Sequence, residues 1–162
     1  MGKFMRFSVH YDSPLGGMTM VSDGTALIGL GFGLMEGEPA PELGLFADTA
    51  HWLDLYFGGS VPNLTPPLSP EGTPFRRKVW DILLRIPYGK TMTYGEIAAE
   101  IARAEGLPRM SAQAVGGAVG HNPIAIIIPC HRVIGADGSL TGYASGLDKK
   151  RYLLTLEGIN FH

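Results

Sequence analysis

The only cysteine in the 162 residues is Cys130, set in "IIIPCHRVIG" between Pro129 and His131. A thiolate is a strong nucleophile, but it needs a neighbouring base or positive charge to be populated near neutral pH. His131 is the base closest in sequence. Adjacent side chains rarely point the same way, so His131 reaches the sulfur through one water only if the backbone turns sharply after Pro129. Glu157 could orient that imidazole and complete a Cys–water–His–Glu proton relay. Taken in isolation, the pair reads more simply as a buried, inert cysteine beside a surface histidine. One cysteine forms no intramolecular disulfide and no cysteine-rich zinc site, and the five histidines show no helical i, i+4 pairing. No metal or other cofactor is expected.

Elements must bring these distant residues together. Phe7, Val9 and Tyr11 alternate with Ser8, His10 and Asp12, the pattern of a half-buried strand. "PLGG", "MTMVSDG" and "TALIGLGF" extend it to a three-stranded antiparallel meander over 4–33. "GLMEGEPAPELG" reads as a loop, followed by a helix at about 47–57 with Trp52, Leu55 and Tyr56 on one side and Gly58-Gly59 as its stop. Residues 60–74 carry five of the twelve prolines, a density no helix survives. They are expected as an extended linker anchored by Leu64 and Leu68, between domains at 1–59 and 75–162.

The second part reads as short helices. Thr73 caps a helix that starts at Pro74, bears Phe75, Val79, Leu83 and Ile86, and ends at Gly89. "TYGE" at 93–96 is a capping box opening a helix with Ile97 and Ile101. "GLPR" turns the chain and Ser111 caps "AQAVGGAVG", which together resemble a helix-turn-helix. A last helix at about 148–157 carries Leu153, Leu154 and Leu156 and stops at Gly158.

With 45 % apolar and 17 % charged residues, the composition is that of an ordinary globular protein. The "IAIII" run stops at Pro129, well short of a membrane span, and no secretory leader is expected, so the cytoplasm is the expected compartment. Charge is uneven. Residues 1–74 hold two basic and eight acidic residues, net −6, and residues 75–162 hold eleven and seven, net +4. A basic second half suits a chain that meets phosphates there, and unevenly charged solvated surface is an equal reading.

"GHNP" at 120–123, "PCHRVIG", "GYASGL", the upstream "GTPFRRKVWDILLRIPYGKTMTYGEIA" at 72–98 and the downstream "LLTLEG" at 153–158 together resemble the O6-alkylguanine-DNA alkyltransferase family. The match is close over 72–158 and looser in the front. The resemblance implies an α/β fold: a small ribonuclease H-like N-terminal domain with a three-stranded antiparallel sheet and helix, then a helical domain with the helix-turn-helix. It implies a monomer acting on double-stranded DNA that contains O6-alkylguanine, with O4-alkylthymine as a second candidate, and transferring the alkyl group irreversibly and once to Cys130. In that scheme His131 takes the thiol proton through water and Glu157 holds its imidazole. Asn122 ties the recognition helix to the cysteine segment, and Tyr94 donates to the guanine ring. The carbonyls of Cys130 and Val133 accept from the exocyclic amine, the amide of Ala144 beside Ser145 contacts O6, and Tyr143 walls the pocket. Ser111, Gln113, Arg76, Arg77, Lys90, Arg109 and Arg132 are candidates for the DNA face.

Two positions depart from the family pattern. Gln113 stands where many members place an arginine that fills the gap left by a flipped base, and Ala125 stands at a pocket-wall proline of some members. Two other classes compete with this reading, and a regulator that signals through its methylated cysteine ranks below both, since a single cysteine leaves no cysteine-rich domain for it. One is a helix-turn-helix sensor of alkylated DNA without transfer activity, against which the presence of Cys130, His131, Asn122 and Glu157 argues. The other is a thiol hydrolase, which would leave the basic half unexplained.

Overall fold

Alternation in "FSVHYDS" produces the first strand, β1 (Phe7–Ser13), with His10 and Asp12 exposed and Val9 and Tyr11 half-buried between them. The computed structural model describes residues 5–161, so Phe4, where the meander was expected to start, lies outside the described residues. β1 pairs antiparallel with β2 (Gly16–Ser22), and β2 with β3 (Leu27–Phe32). The expected loop at 33–44 holds a further strand, β4 (Glu38–Pro39), parallel to β1, which gives the order β3-β2-β1-β4. The Glu38 amide donates to the Arg6 carbonyl at 2.8 Å and the Ala40 amide to Ser8 at 3.1 Å. Pro39 is tolerated because an edge strand has no partner for its missing N–H.

These strands belong to a first unit, residues up to 71 with Pro123–Ala125. Its helix α1 (Gly44–Phe57) buries Phe46, Thr49, Trp52, Leu53 and Tyr56. Leu53 is fully buried where Leu55 was expected, since 46, 49, 53 and 56 form one helical stripe. The proline-rich stretch after α1 joins the same unit. The Leu27 amide donates to Pro67 at 2.8 Å and the Ser69 amide to Leu27 at 2.9 Å. Pro66 is buried, but Leu64 is 81 % exposed and anchors nothing, because the paired stretch reaches only Pro67–Ser69.

The second unit comprises residues 72–122 and those from 126 onward. Helix α2 (Pro74–Leu84) starts as its sequence requires, with the Thr73 hydroxyl accepting from the Arg76 amide. It ends at Leu84, earlier than Gly89, because Pro87 disfavours helical geometry at Ile86. The Trp80 indole donates to the Ala118 carbonyl at 2.9 Å, fixing α2 to α4 (Ala112–Gly120). Between them, α3 (Tyr94–Glu105) carries the full capping box of Thr93 and Glu96 and closes on Gly106 at φ 67°. Two short strands, β5 (Met92–Thr93) and β6 (Val133–Ile134), pair in parallel. α5 (Leu147–Leu156) turns Lys150, Leu153 and Leu154 inward. Among the described residues, no helix is long and apolar enough to cross a membrane.

Candidate active site

Cys130 is the first residue of a single 3-10 turn, Cys130–Arg132. The Pro129 backbone lies at φ −82°, ψ 66°, and the Cys130 amide donates to the Ile128 carbonyl at 2.8 Å. That is an inverse γ-turn centred on proline, the sharp turn that a working Cys–His pair requires. Just upstream, Ile126 sits at φ 70°, a conformation β-branched residues avoid, held by complete burial. The β5–β6 pairing, Met92 opposite Val133 and Thr93 opposite Ile134, sets Tyr94 beside the strand that follows the turn.

The thiol lies in a nearly closed setting, with Cys130 only 9 % exposed. Burial pushes its pKa up, against partial relief from the Asn122 side chain, the Lys150 ammonium and the Tyr143 hydroxyl. The Tyr143 hydroxyl is buried beside the sulfur without a well-aligned hydrogen bond to it. Asn122 also donates from Nδ2 to the Ile128 carbonyl at 2.8 Å, so one amide spans the end of α4 and the cysteine segment.

His131 is completely buried, and its Nε2 lies 2.7 Å from Glu157 Oε2. Burial would raise the Glu157 carboxyl, but His131, Arg132 and the Gly89 amide together bring it down to about 2. Glu157 is therefore an ionised acceptor, and His131 donates to it from Nε2. Burial lowers the His131 pKa despite that partner, so the ring is neutral at neutral pH with its basic lone pair on Nδ1.

Arg132 was expected on the DNA face and is not there. Its Nε and Nη2 reach Glu157 at 2.8 and 3.1 Å, its Nη1 donates to the Ile86 carbonyl at 2.7 Å, and its guanidinium lies 5.7 Å from the Tyr88 ring centre. The 3-10 turn directs it inward, where a planar fork matches a carboxylate.

Sequence reasoning missed Lys150, which is fully buried. Its Nζ donates to the Val133 carbonyl at 2.7 Å and to those of Thr141 and Gly142 at 3.4 Å. Burial lowers its pKa to about 8, which leaves it mostly cationic at neutral pH. The signal was present: residues 150, 153, 154 and 157 share one helix face, so a lysine there lies on the buried stripe.

The sequence model of the 6-O-methylguanine DNA methyltransferase DNA binding domain matches residues 74–159, and that of the family's ribonuclease-like domain matches residues 7–70. The chain is 46 % identical over 157 residues to the methylated-DNA–protein-cysteine methyltransferase of Mycobacterium tuberculosis, covering 92 % of each chain. The chain belongs to the 6-O-methylguanine DNA methyltransferase family. A relative of the same description from Methanosarcina acetivorans is 46 % identical, over 91 % of this chain and 96 % of its own. The crystal structure of the Mycobacterium tuberculosis protein in complex with DNA superposes with a TM-score of 0.80 at 43 % identity, covering 94 % of this chain and 92 % of that one.

Within this methyltransferase fold, the Asn122 and Tyr143 side chains lie against the Cys130 thiol, and Glu157 holds the imidazole of His131, the next residue in the chain. Tyr94 is half-buried at the start of α3, and its hydroxyl accepts from Thr141 Oγ1 at 2.8 Å. The Cys130 carbonyl accepts from the Val133 amide and the Val133 carbonyl from Lys150, leaving each a second lone pair. Ala144 is exposed and Ser145 half-buried, in the turn closed by the Gly146 amide on the Tyr143 carbonyl. Arg77, Lys90, Arg109 and Gln113 are exposed and Arg76 half-buried. The Ser111 hydroxyl is occupied as the α4 cap, accepting from the Ala114 amide at 3.1 Å.

Proposed function

We propose that this protein repairs DNA by moving a methyl or larger alkyl group from O6 of guanine to the sulfur of Cys130. The observation that carries the reading is a single buried thiol adjoining a neutral histidine, which is held through Nε2 by an ionised, doubly anchored carboxylate. In the step, the thiol proton passes to His131 Nδ1 through a water. The sulfur then bonds to the alkyl carbon, and the carbon–O6 bond breaks with its electron pair moving into the guanine ring. The proton released by the thiol ends on the guanine, so the products are a neutral thioether and an unmodified base.

A thioether has no hydrolysable bond, so each chain acts once. Burial of the sulfur requires the damaged nucleotide to leave the base stack, at a cost of a few kcal/mol that is lowest where alkylation has weakened pairing. Tyr94 is assigned to donate to the ring as charge builds there, in keeping with donors placed where transition-state charge appears. Val133, Tyr143, Ala144 and Ser145 are assigned to the base pocket. Gln113, Arg109, Lys90 and the Ser111 end of α4 are assigned to the duplex. The protein works as a monomer in this account, in the cytoplasm, where reduced thiol and DNA coexist. Residues 60–74 are read as the join between the two domains.

Duplex DNA carrying labelled O6-methylguanine, titrated against the protein, tests the reading. One methyl transferred per chain, followed by no further turnover, is expected. Tight binding with the label left on the DNA would favour a sensor of alkylated DNA instead.

A further inference from the structure

The Tyr94 hydroxyl is not isolated. Thr141, in the loop between β6 and α5, donates to it from Oγ1 at 2.8 Å. A phenolic hydroxyl has one proton and two lone pairs. By accepting from Thr141, Tyr94 keeps its own proton for another acceptor and has its rotation about the C–O bond restricted.

The rest of Thr141 is tied into the site as well. Its carbonyl accepts from the buried Lys150 ammonium at 3.4 Å, and the loop continues after one residue to Tyr143, whose hydroxyl adjoins the thiol. Thr141 is therefore the point where α3, the pocket loop and α5 meet through polar contacts. Because it is β-branched, its χ1 is already restricted, and the hydroxyl is presented at low entropic cost.

We infer that Thr141 is a positioning residue for the alkyl transfer, setting and polarising the Tyr94 hydroxyl so that it donates a hydrogen bond to the guanine ring as negative charge builds there, keeping its own proton. This rests on the alkyltransferase reading above. Hydrogen bonds in series polarise one another, so a donor into the Tyr94 oxygen makes its O–H the stronger donor. The contribution grows as negative charge develops on the leaving base. It therefore belongs to the transfer rate and not to DNA affinity.

Single-turnover transfer from a saturating O6-methylguanine duplex tests the inference, with affinity for the same duplex measured separately. Thr141→Val keeps the shape and removes the hydroxyl, and should lower the rate constant by about fivefold with affinity unchanged. Thr141→Ser should recover most of that loss, and Thr141→Ala should match Thr141→Val. In a Tyr94→Phe background, Thr141→Val should cost nothing further, since the oxygen it acts on is gone. A wild-type rate in Thr141→Val would overturn the inference, as would an equal loss in the Tyr94→Phe background or in Thr141→Ser. These outcomes are separate from failure of the underlying reading, which would appear as a wild-type protein that leaves the lesion methylated.

Discussion

At the scale of single residues, Glu157 organises the site: it accepts from His131, from two nitrogens of Arg132 and from the Gly89 amide. Replacing it with glutamine leaves the buried Arg132 charge uncompensated and should cost about 3–5 kcal/mol of stability by chemical denaturation. The pH dependence follows from the direction of the shift. The native carboxyl titrates near 2 and the unfolded one near 4.5. Its stabilisation is therefore complete above 4.5 and lost as pH falls toward 2. Thermal melts should show an acid limb in that window that Glu157→Gln flattens; an unchanged limb would contradict the assignment. His131 has the complementary signature. Its pKa is lowered from 6.5 by burial, so the base stays neutral below that value. Transfer rates should hold level as pH is lowered through 6.5, and a fall with a midpoint at or above 6.5 would show that the imidazole is not the buried one described.

At the scale of elements, the helices that announce themselves chemically were legible from the sequence. Thr73, Thr93 and Ser111 all cap where their spacing put them. Thr93→Ala should therefore cost about 1 kcal/mol in thermal unfolding, with no change in α4. What sequence hid were short pairings of low signal. β5 and β6 have two residues each, too few to show an alternation, yet their parallel register brings Tyr94 to the cysteine turn. β4 was concealed by proline, which edge strands admit. Cys130 and His131 were legible by residue type, whereas Asn122, Tyr143 and Glu157, each open to a bland reading alone, were legible through the family resemblance that groups them. Arg132 and Lys150 were not, because a basic residue defaults to the surface unless its helical face or a facing carboxylate reveals that it is buried. Asn122 can be tested here: Asn122→Ala breaks the link to the Ile128 carbonyl and should slow transfer more than it weakens DNA binding. Equal losses in both would place it in the DNA contact instead.

For the whole molecule, charge is divided along the chain, net −6 over residues 1–74 and +4 over residues 75–162. DNA binding through the second part should weaken linearly in log–log terms as salt rises, and Lys90→Ala or Arg109→Ala should each make the slope shallower. A slope unaffected by both would exclude them from the phosphate contacts. The central claim is that Cys130 receives the alkyl group and keeps it. The most direct measurement is mass spectrometry of the Cys130 peptide after incubation with an O6-methylguanine duplex. The account predicts one added methyl on Cys130, an unmodified guanine in the DNA and no transfer by Cys130→Ser. An unmodified Cys130 peptide from protein that has removed the methyl group, or demethylation by Cys130→Ser, would contradict it.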